Sequence, residues 1–147
     1  MSLLTYLLVW SLFLQVILSF AVLFKMRFVR VRAFKESGIK MQDIAVTPEA
    51  WPDYVRKVQN NYINQFEVPV LFYLASSLVL IFSVESLLFV ILAYAFVLSR
   101  VVHAVIHTGS NRIKYRFTAF LVGVVCVMAQ WAYIMFIVTN AYLASNE

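Results

Sequence analysis

Two polar stripes interrupt the hydrophobic segments of this chain and hold most of its chemistry. Asn60, Asn64 and Glu67 recur at intervals of four and three, and Arg100, His103, His107 and Asn111 at three, four and four. Both spacings place side chains on one face of a helix. Glu67 and Arg100 are natural partners, and truncating one member of a buried ion pair costs about 3–5 kcal/mol because the other charge is stranded. His103 and His107 also have the spacing by which two imidazoles on a helix bind a metal, with Glu67 as a third ligand. One histidine pair, with no second cluster and no cysteine ligand, points instead to imidazoles hydrogen-bonded to neighbouring Asn, Glu or backbone groups, and no metal is expected. A Ser-His-Asp arrangement is not available either. Ser99 shares its stretch of chain with both histidines, and no orienting aspartate lies near.

The elements that must carry these stripes are membrane spans. Of the 147 residues, 63% are hydrophobic and 13% charged, and the mean hydropathy is +0.86. Soluble domains carry charge on about a quarter of their residues, so a soluble fold is excluded. Ser2–Phe24, Val68–Val84, Leu87–Leu98 with its extension to Ile106, and Phe117–Val138 each approach the roughly 20 apolar residues that cross hydrocarbon. The expected fold is an all-α, four-helix transmembrane bundle filling residues 1–147 as one domain. Any large cavity must then be built between subunits. Met1–Phe24 lacks a basic start and a small-residue cleavage site, so it reads as the first span and not as a secretion signal.

Charge sets the orientation. Lys25, Arg27, Arg30, Arg32, Lys35, Lys40, Arg56 and Lys57 lie between the first two spans, and Arg112, Lys114 and Arg116 between the last two; the tight second connection holds only Glu85. Short loops rich in Lys and Arg stay in the cytoplasm, which puts both termini of this integral membrane protein on the non-cytoplasmic side; the short helices and the lack of a targeting segment point to a bacterial inner membrane, with a eukaryotic internal membrane as the alternative. The net charge of +5 then forms a basic collar suited to anionic lipid head groups or an anionic substrate. With no basic folded module, nucleic acid is not an expected partner.

Between the first two spans, Ser37-Gly38 marks a helix stop, Lys35–Val46 reads as a solvated linker, and Thr47-Pro48-Glu49 as a capped helix start. The second helix begins near Asp53 and passes Asn60, Asn61, Asn64, Gln65 and Glu67 before turning apolar. Pro69 frees the carbonyl four residues earlier, at Gln65, and predicts a kink where the polar stripe ends. Polar groups at this depth must face the bundle interior or a wet cavity. Gln15, Gln130 and Asn140 read as interhelical hydrogen-bonding groups worth about 0.6 kcal/mol each, and the single Cys126 as a small buried hydrophobe. The chain has three glycines, no internal repeat and no glycine-rich phosphate loop.

Asn64-Gln65-Phe66-Glu67-Val68-Pro69 resembles the Asn-x-x-Glu signature on the second helix of the MAPEG family, the membrane-associated proteins in eicosanoid and glutathione metabolism. Arg100-Val101-Val102-His103, followed by His107, Gly109, Arg112 and Arg116, is similar to the third helix and following loop of its prostaglandin E synthase branch. Arg32-Ala33-Phe34 resembles the step after the family's first helix. The matches run through nearly the whole chain in the same order.

This resemblance implies a homotrimer of four-helix subunits in contact with membrane lipids, binding glutathione between neighbours near the cytoplasmic face. It implies a carboxylate on Arg30 or Arg32, the peptide on Asn64, the ammonium on Glu67, and remaining contacts from Asn60, Arg100, His103 and His107. Arg116 falls where the family places the arginine that activates the thiol, so the implied activity is a glutathione-dependent transferase or peroxidase acting on a hydrophobic, lipid-like electrophile. A thiol with a pKa of about 8.5 needs roughly 2 kcal/mol of thiolate stabilisation to fall to about 7. The chain departs from the pattern at Asn60 and Ile63, where arginine is common, and at His107 and Phe120, where tyrosine is. Those losses favour one alternative, a non-catalytic member of the fold that binds lipids or partner proteins. A transporter reading fails, because one polar cluster near one face makes no pathway.

Overall fold

The computed structural model describes residues 1–37, 41–44 and 47–146. Helix α1 spans Leu3–Ser37, α2 is a single turn at Met41–Ile44, α3 spans Asp53–Ile63, α4 Val68–Ile81, α5 Leu87–Thr108 and α6 Ile113–Ala144. Four segments are long and apolar enough to cross a membrane: Leu3–Glu36, Asp53–Ile81, Leu87–Thr108 and Ile113–Ala144.

Helix α1 runs 35 residues, well past the Phe24 boundary expected from hydropathy. No glycine or proline interrupts residues 25–37, so nothing stops the helix before Ser37-Gly38. Its charged end is held by packing. Ala33 and Val55 are fully buried with Trp51 beside them, Arg30 donates to Gln59 Oε1 at 2.8 Å, and its guanidinium lies 5.4 Å from the Trp51 ring. The expected linker over Lys35–Val46 is therefore helical at its start, where α1 continues to Ser37, and again in α2. Residues 38–40 and 45–46 of that expectation lie outside the described residues. Thr47 opens only a short 3-10 turn, Pro48–Ala50.

The second span begins at Asp53, as its sequence indicates, but it does not kink at Pro69. It breaks into α3, a 3-10 turn at Asn64–Phe66, and a newly started α4. Glu67 leaves helical geometry at φ −95° and ψ −102°, and Pro69 sits in the first turn of α4, where the missing N–H has no intrahelical acceptor to serve. The proline thus marks a restart. Serine begins the next helix: Ser86 Oγ accepts from Phe89 N at 3.2 Å and caps α5.

Helix α5 is the hub, packing along α6, α1 and α3, while α4 lies against α6 and α1. Phe72 and Phe96 stack at 4.5 Å in the centre, surrounded by Leu8, Ala75, Val79, Phe89, Ala93 and Val127. The outward faces carry Phe13, Phe20, Phe24, Leu74, Leu98, Val125, Met128 and Phe136, the surface expected toward acyl chains or neighbouring apolar helices. Lys25 donates to Thr108 Oγ1 at 2.7 Å, so the charged end of α1 and the turn before α6 share one end of the bundle.

Close approach of α5 and α6 depends on Gly123. A Cβ there would lie 2.7 Å from Ser99 Oγ, which is itself committed to the Phe96 carbonyl at 2.6 Å. Gly123→Ala is expected to lower stability by about 1–3 kcal/mol in detergent unfolding, and adding Ser99→Ala should restore most of it. A neutral single variant would refute the tight crossing.

Candidate functional site

The break in the second span decides where the polar groups go. A continuous helix would satisfy the Asn64 carbonyl from the amide of residue 68, and the 3-10 turn removes that bond. Arg100 NH2 donates to this carbonyl at 3.0 Å. Arg100 is only 1% exposed, and its Nε and NH1 have no partner among the described residues. The guanidinium carbon sits 5.8 Å from the ring of Phe120, a cation–π contact.

Glu67 does not pair with Arg100. Among the described residues the ion pairs are Arg32 with Glu36 and Arg56 with Asp53, and Glu67 is exposed on the outside of the chain. The sequence expectation of a Glu67–Arg100 bridge is not met: Glu67 leaves helical geometry at the break and lies on the outside, as Asn60 does. Arg100 takes a main-chain acceptor instead.

A second, buried face of the same segment lines up behind this. Gln15 of α1 donates through Nε2 to Gln65 Oε1 at 3.1 Å. Gln65 Nε2 donates to the Asn61 carbonyl at 3.3 Å and lies 3.4 Å from Asn61 Oδ1. Asn61 Nδ2 then lies 3.3 Å from His107 Nδ1. Gln15, Asn61 and Gln65 are all at most 1% exposed. This chain of amides ties α1 to α5 through the broken span. Sequence reading singled out Asn60, which is exposed, and passed over Asn61 and Gln65 as a pair; their spacing of four on a polar stretch is the signal that would have found them.

The third group sits at the start of α6. His103 Nδ1 lies 3.1 Å from the carbonyl of Arg116, and its ring is 5.3 Å from that of His107, edge to face. Arg116 NH1 donates to Asn111 Oδ1 at 2.6 Å. Asn111 adopts a left-handed φ of 50°, which asparagine tolerates, and its amide closes the turn onto the Ile106 carbonyl at 2.7 Å. One residue therefore shapes the α5–α6 turn and aims Arg116. Arg112, Lys114 and Arg116 crowd the N-terminal turn of α6, which holds no acidic residue. Cations oppose the helix dipole there, so this end concentrates positive potential suited to an anion.

The structure thus brings together Asn64, Arg100, His103, His107 and Arg116, with His103 and His107 at 3% and 4% exposure. Arg30 stands apart beside Gln59 and Trp51, and Arg32 is exposed and bound to Glu36. Asn60 and Glu67 face outward. Among the described residues no cluster of three His, Cys, Asp or Glu has metal-binding geometry. An apolar cleft of about 230 Å³ lies beside the broken segment, lined by Val16, Ser19, Phe20, Tyr62, Phe66 and Tyr73.

A family model described as the MAPEG family matches residues 4–136, which reaches into all four spans and takes in both polar stripes. The chain belongs to the MAPEG family. MAPEG proteins are integral membrane proteins that generally use glutathione as a cosubstrate, and they include transferases, peroxidases and non-catalytic members. No curated protein and no solved structure matches the chain.

Because Glu67 is exposed and makes no ion pair among the described residues, Glu67→Gln is expected to change unfolding free energy by less than about 0.5 kcal/mol. A loss of about 3–5 kcal/mol in detergent melts would reinstate a buried ion pair.

Proposed function

We propose that this MAPEG protein is a glutathione-dependent membrane transferase or peroxidase acting on hydrophobic, lipid-like electrophiles, with Arg116 stabilising the thiolate. The observation that carries this reading is Arg116 itself: a guanidinium aimed by Asn111, on a cation-rich helix start, against the buried Arg100–His103–His107 face of α5. The residues present suit a tripeptide with two carboxylates, one ammonium and a thiol. Arg100 retains two unpartnered nitrogens, Nε and Nη1, for an anionic group, Glu67 offers an exposed carboxylate to an ammonium, and Asn64 is half-buried in the same segment.

Glutathione, when bound, supplies the thiol nucleophile. Arg116 lowers the cost of the thiolate by a direct charge contact, for which roughly 2 kcal/mol suffices at neutral pH. The Asn111 contact holds that guanidinium in place and limits the reorganisation needed when negative charge develops. Arg30 and Arg32 are engaged elsewhere in the single chain, so they enter this reading as outer contacts at most.

A homotrimer fits the outward placement of Asn60, Glu67 and Arg32, polar groups that one chain leaves on its membrane-facing end and that a neighbouring copy would cover. Within the family the chain falls nearest the prostaglandin E synthase-like branch, by its Arg100, His103, Arg112 and Arg116 spacing. The basic collar supports both termini on the non-cytoplasmic side of a bacterial inner membrane. Its electrophile would enter from the bilayer along apolar clefts such as that beside Tyr62 and Phe66.

Purified protein in detergent tests the reading. Thiolate absorbance of bound glutathione at neutral pH is expected to disappear in Arg116→Ala, with turnover of a hydrophobic electrophile falling by about 10²-fold or more. Unchanged ionisation and turnover would remove the mechanism. Failure of glutathione to raise the melting temperature, where a phospholipid does, would favour a non-catalytic lipid-binding role.

A further inference from the structure

The two buried histidines are each held at Nδ1, but by partners of opposite kind. His103 Nδ1 lies 3.1 Å from the Arg116 carbonyl. A carbonyl oxygen can only accept, so Nδ1 of His103 carries the proton and its Nε2 is a bare lone pair. That Nε2 is buried and has no partner among the described residues.

His107 is read through the amide chain. An amide side chain placed by shape alone could be turned either way, but here a second main-chain carbonyl sets the direction. Gln65 presents one end to the Asn61 carbonyl at 3.3 Å, and that end must be its NH2 group. The same NH2 faces Asn61 Oδ1 at 3.4 Å, so the oxygen of Asn61 points to Gln65 and its NH2 points to His107. Gln65 Oε1 in turn receives Gln15 Nε2 at 3.1 Å. Every link runs the same way, and at its end Asn61 Nδ2 donates to His107 Nδ1 at 3.3 Å. His107 Nδ1 is therefore the acceptor.

We infer that His103 and His107 are locked in opposite tautomers, with protons on Nδ1 and Nε2 respectively, and that Gln15, Gln65 and Asn61 are positioning residues that make His107 a fixed Nε2–H donor. Two ring systems 5.3 Å apart then present one acceptor and one donor, a set that matches a group with both a proton and a lone pair, such as a thiol or a hydroxyl. An acceptor-only carboxylate would leave the His103 lone pair unmatched. His107 supplies a hydrogen bond to sulfur from a nitrogen, with its direction set by Asn61 and by Gln65, which is tied in turn to Gln15 of α1. The thiol as occupant rests on the glutathione reading above; the tautomers do not.

The chain has two histidines, so nitrogen NMR of protein labelled with 15N-histidine reads both rings directly. His103→Gln and His107→Gln assign the signals. In ligand-free protein in micelles, His103 is expected to show a protonated Nδ1 and His107 a protonated Nε2. Asn61→Asp replaces the donor with an oxygen and should bring a proton onto His107 Nδ1, leaving His103 unchanged. Matching tautomers on the two rings, or a His107 that keeps a bare Nδ1 in Asn61→Asp, would overturn the inference. Should that variant fail to fold, the wild-type spectrum alone still decides. Added glutathione is expected to shift the His107 Nε2 signal. Opposite tautomers without that shift would uphold the locking and reject glutathione as the ligand.

Discussion

A guanidinium in an apolar bundle needs an acceptor, and in this protein the acceptor is made by breaking a helix. The second span breaks in a 3-10 turn at Asn64–Phe66, and there Arg100 donates to the Asn64 carbonyl at 3.0 Å. Without that acceptor the arginine would face a desolvation cost of several kcal/mol with nothing to offset it. Asn61 and Gln65, four apart, face inward from the same segment and reach α1 and α5. Site and fold thus share one origin. The half of the bundle at the basic end is assembled on polar bonds, the other half on the Phe72–Phe96 core.

Such an arrangement trades stability for placement. Individual interhelical hydrogen bonds within a membrane contribute about 0.6 kcal/mol, and Arg100 still has two nitrogens unmatched among the described residues. Apolar replacements would fill the same volume at lower cost. What the polar groups provide is direction: the amides, rings and guanidinium are oriented by their neighbours, and three of the anchors are main-chain carbonyls that cannot rotate, those of Asn61, Asn64 and Arg116. Preorganised donors of this kind are what a site needs where charge develops during reaction.

Much of this was legible in the sequence, and the remainder was lost for identifiable reasons. Hydropathy located four spans, and the order of Asn64, Glu67, Arg100, His103 and Arg116 carried the family. The end of α1 was misplaced because Lys25–Lys35 look like a loop to a hydropathy scale, whereas charged side chains can leave an interfacial helix without ending it. Pro69 was correctly seen to disturb the second span. Its consequence was misread, since a proline in the first turn begins a helix and a proline in the interior bends one. That misreading also produced the Glu67–Arg100 pair, which assumes an unbroken face. Gln15 looked like a lone interhelical group because its partner lies 50 residues on, a distance no local pattern spans.

The account stands on the Arg100 contact to the Asn64 carbonyl, and that peptide group can be observed alone. Asn followed by Gln occurs once in the chain, at Asn64-Gln65, so protein labelled with carbonyl 13C in Asn and 15N in Gln yields a single carbonyl–nitrogen correlation. The account predicts that the Asn64 carbonyl resonance moves in Arg100→Leu, as the charged hydrogen bond is lost, and stays in place in Glu67→Gln. A resonance indifferent to Arg100 would contradict it.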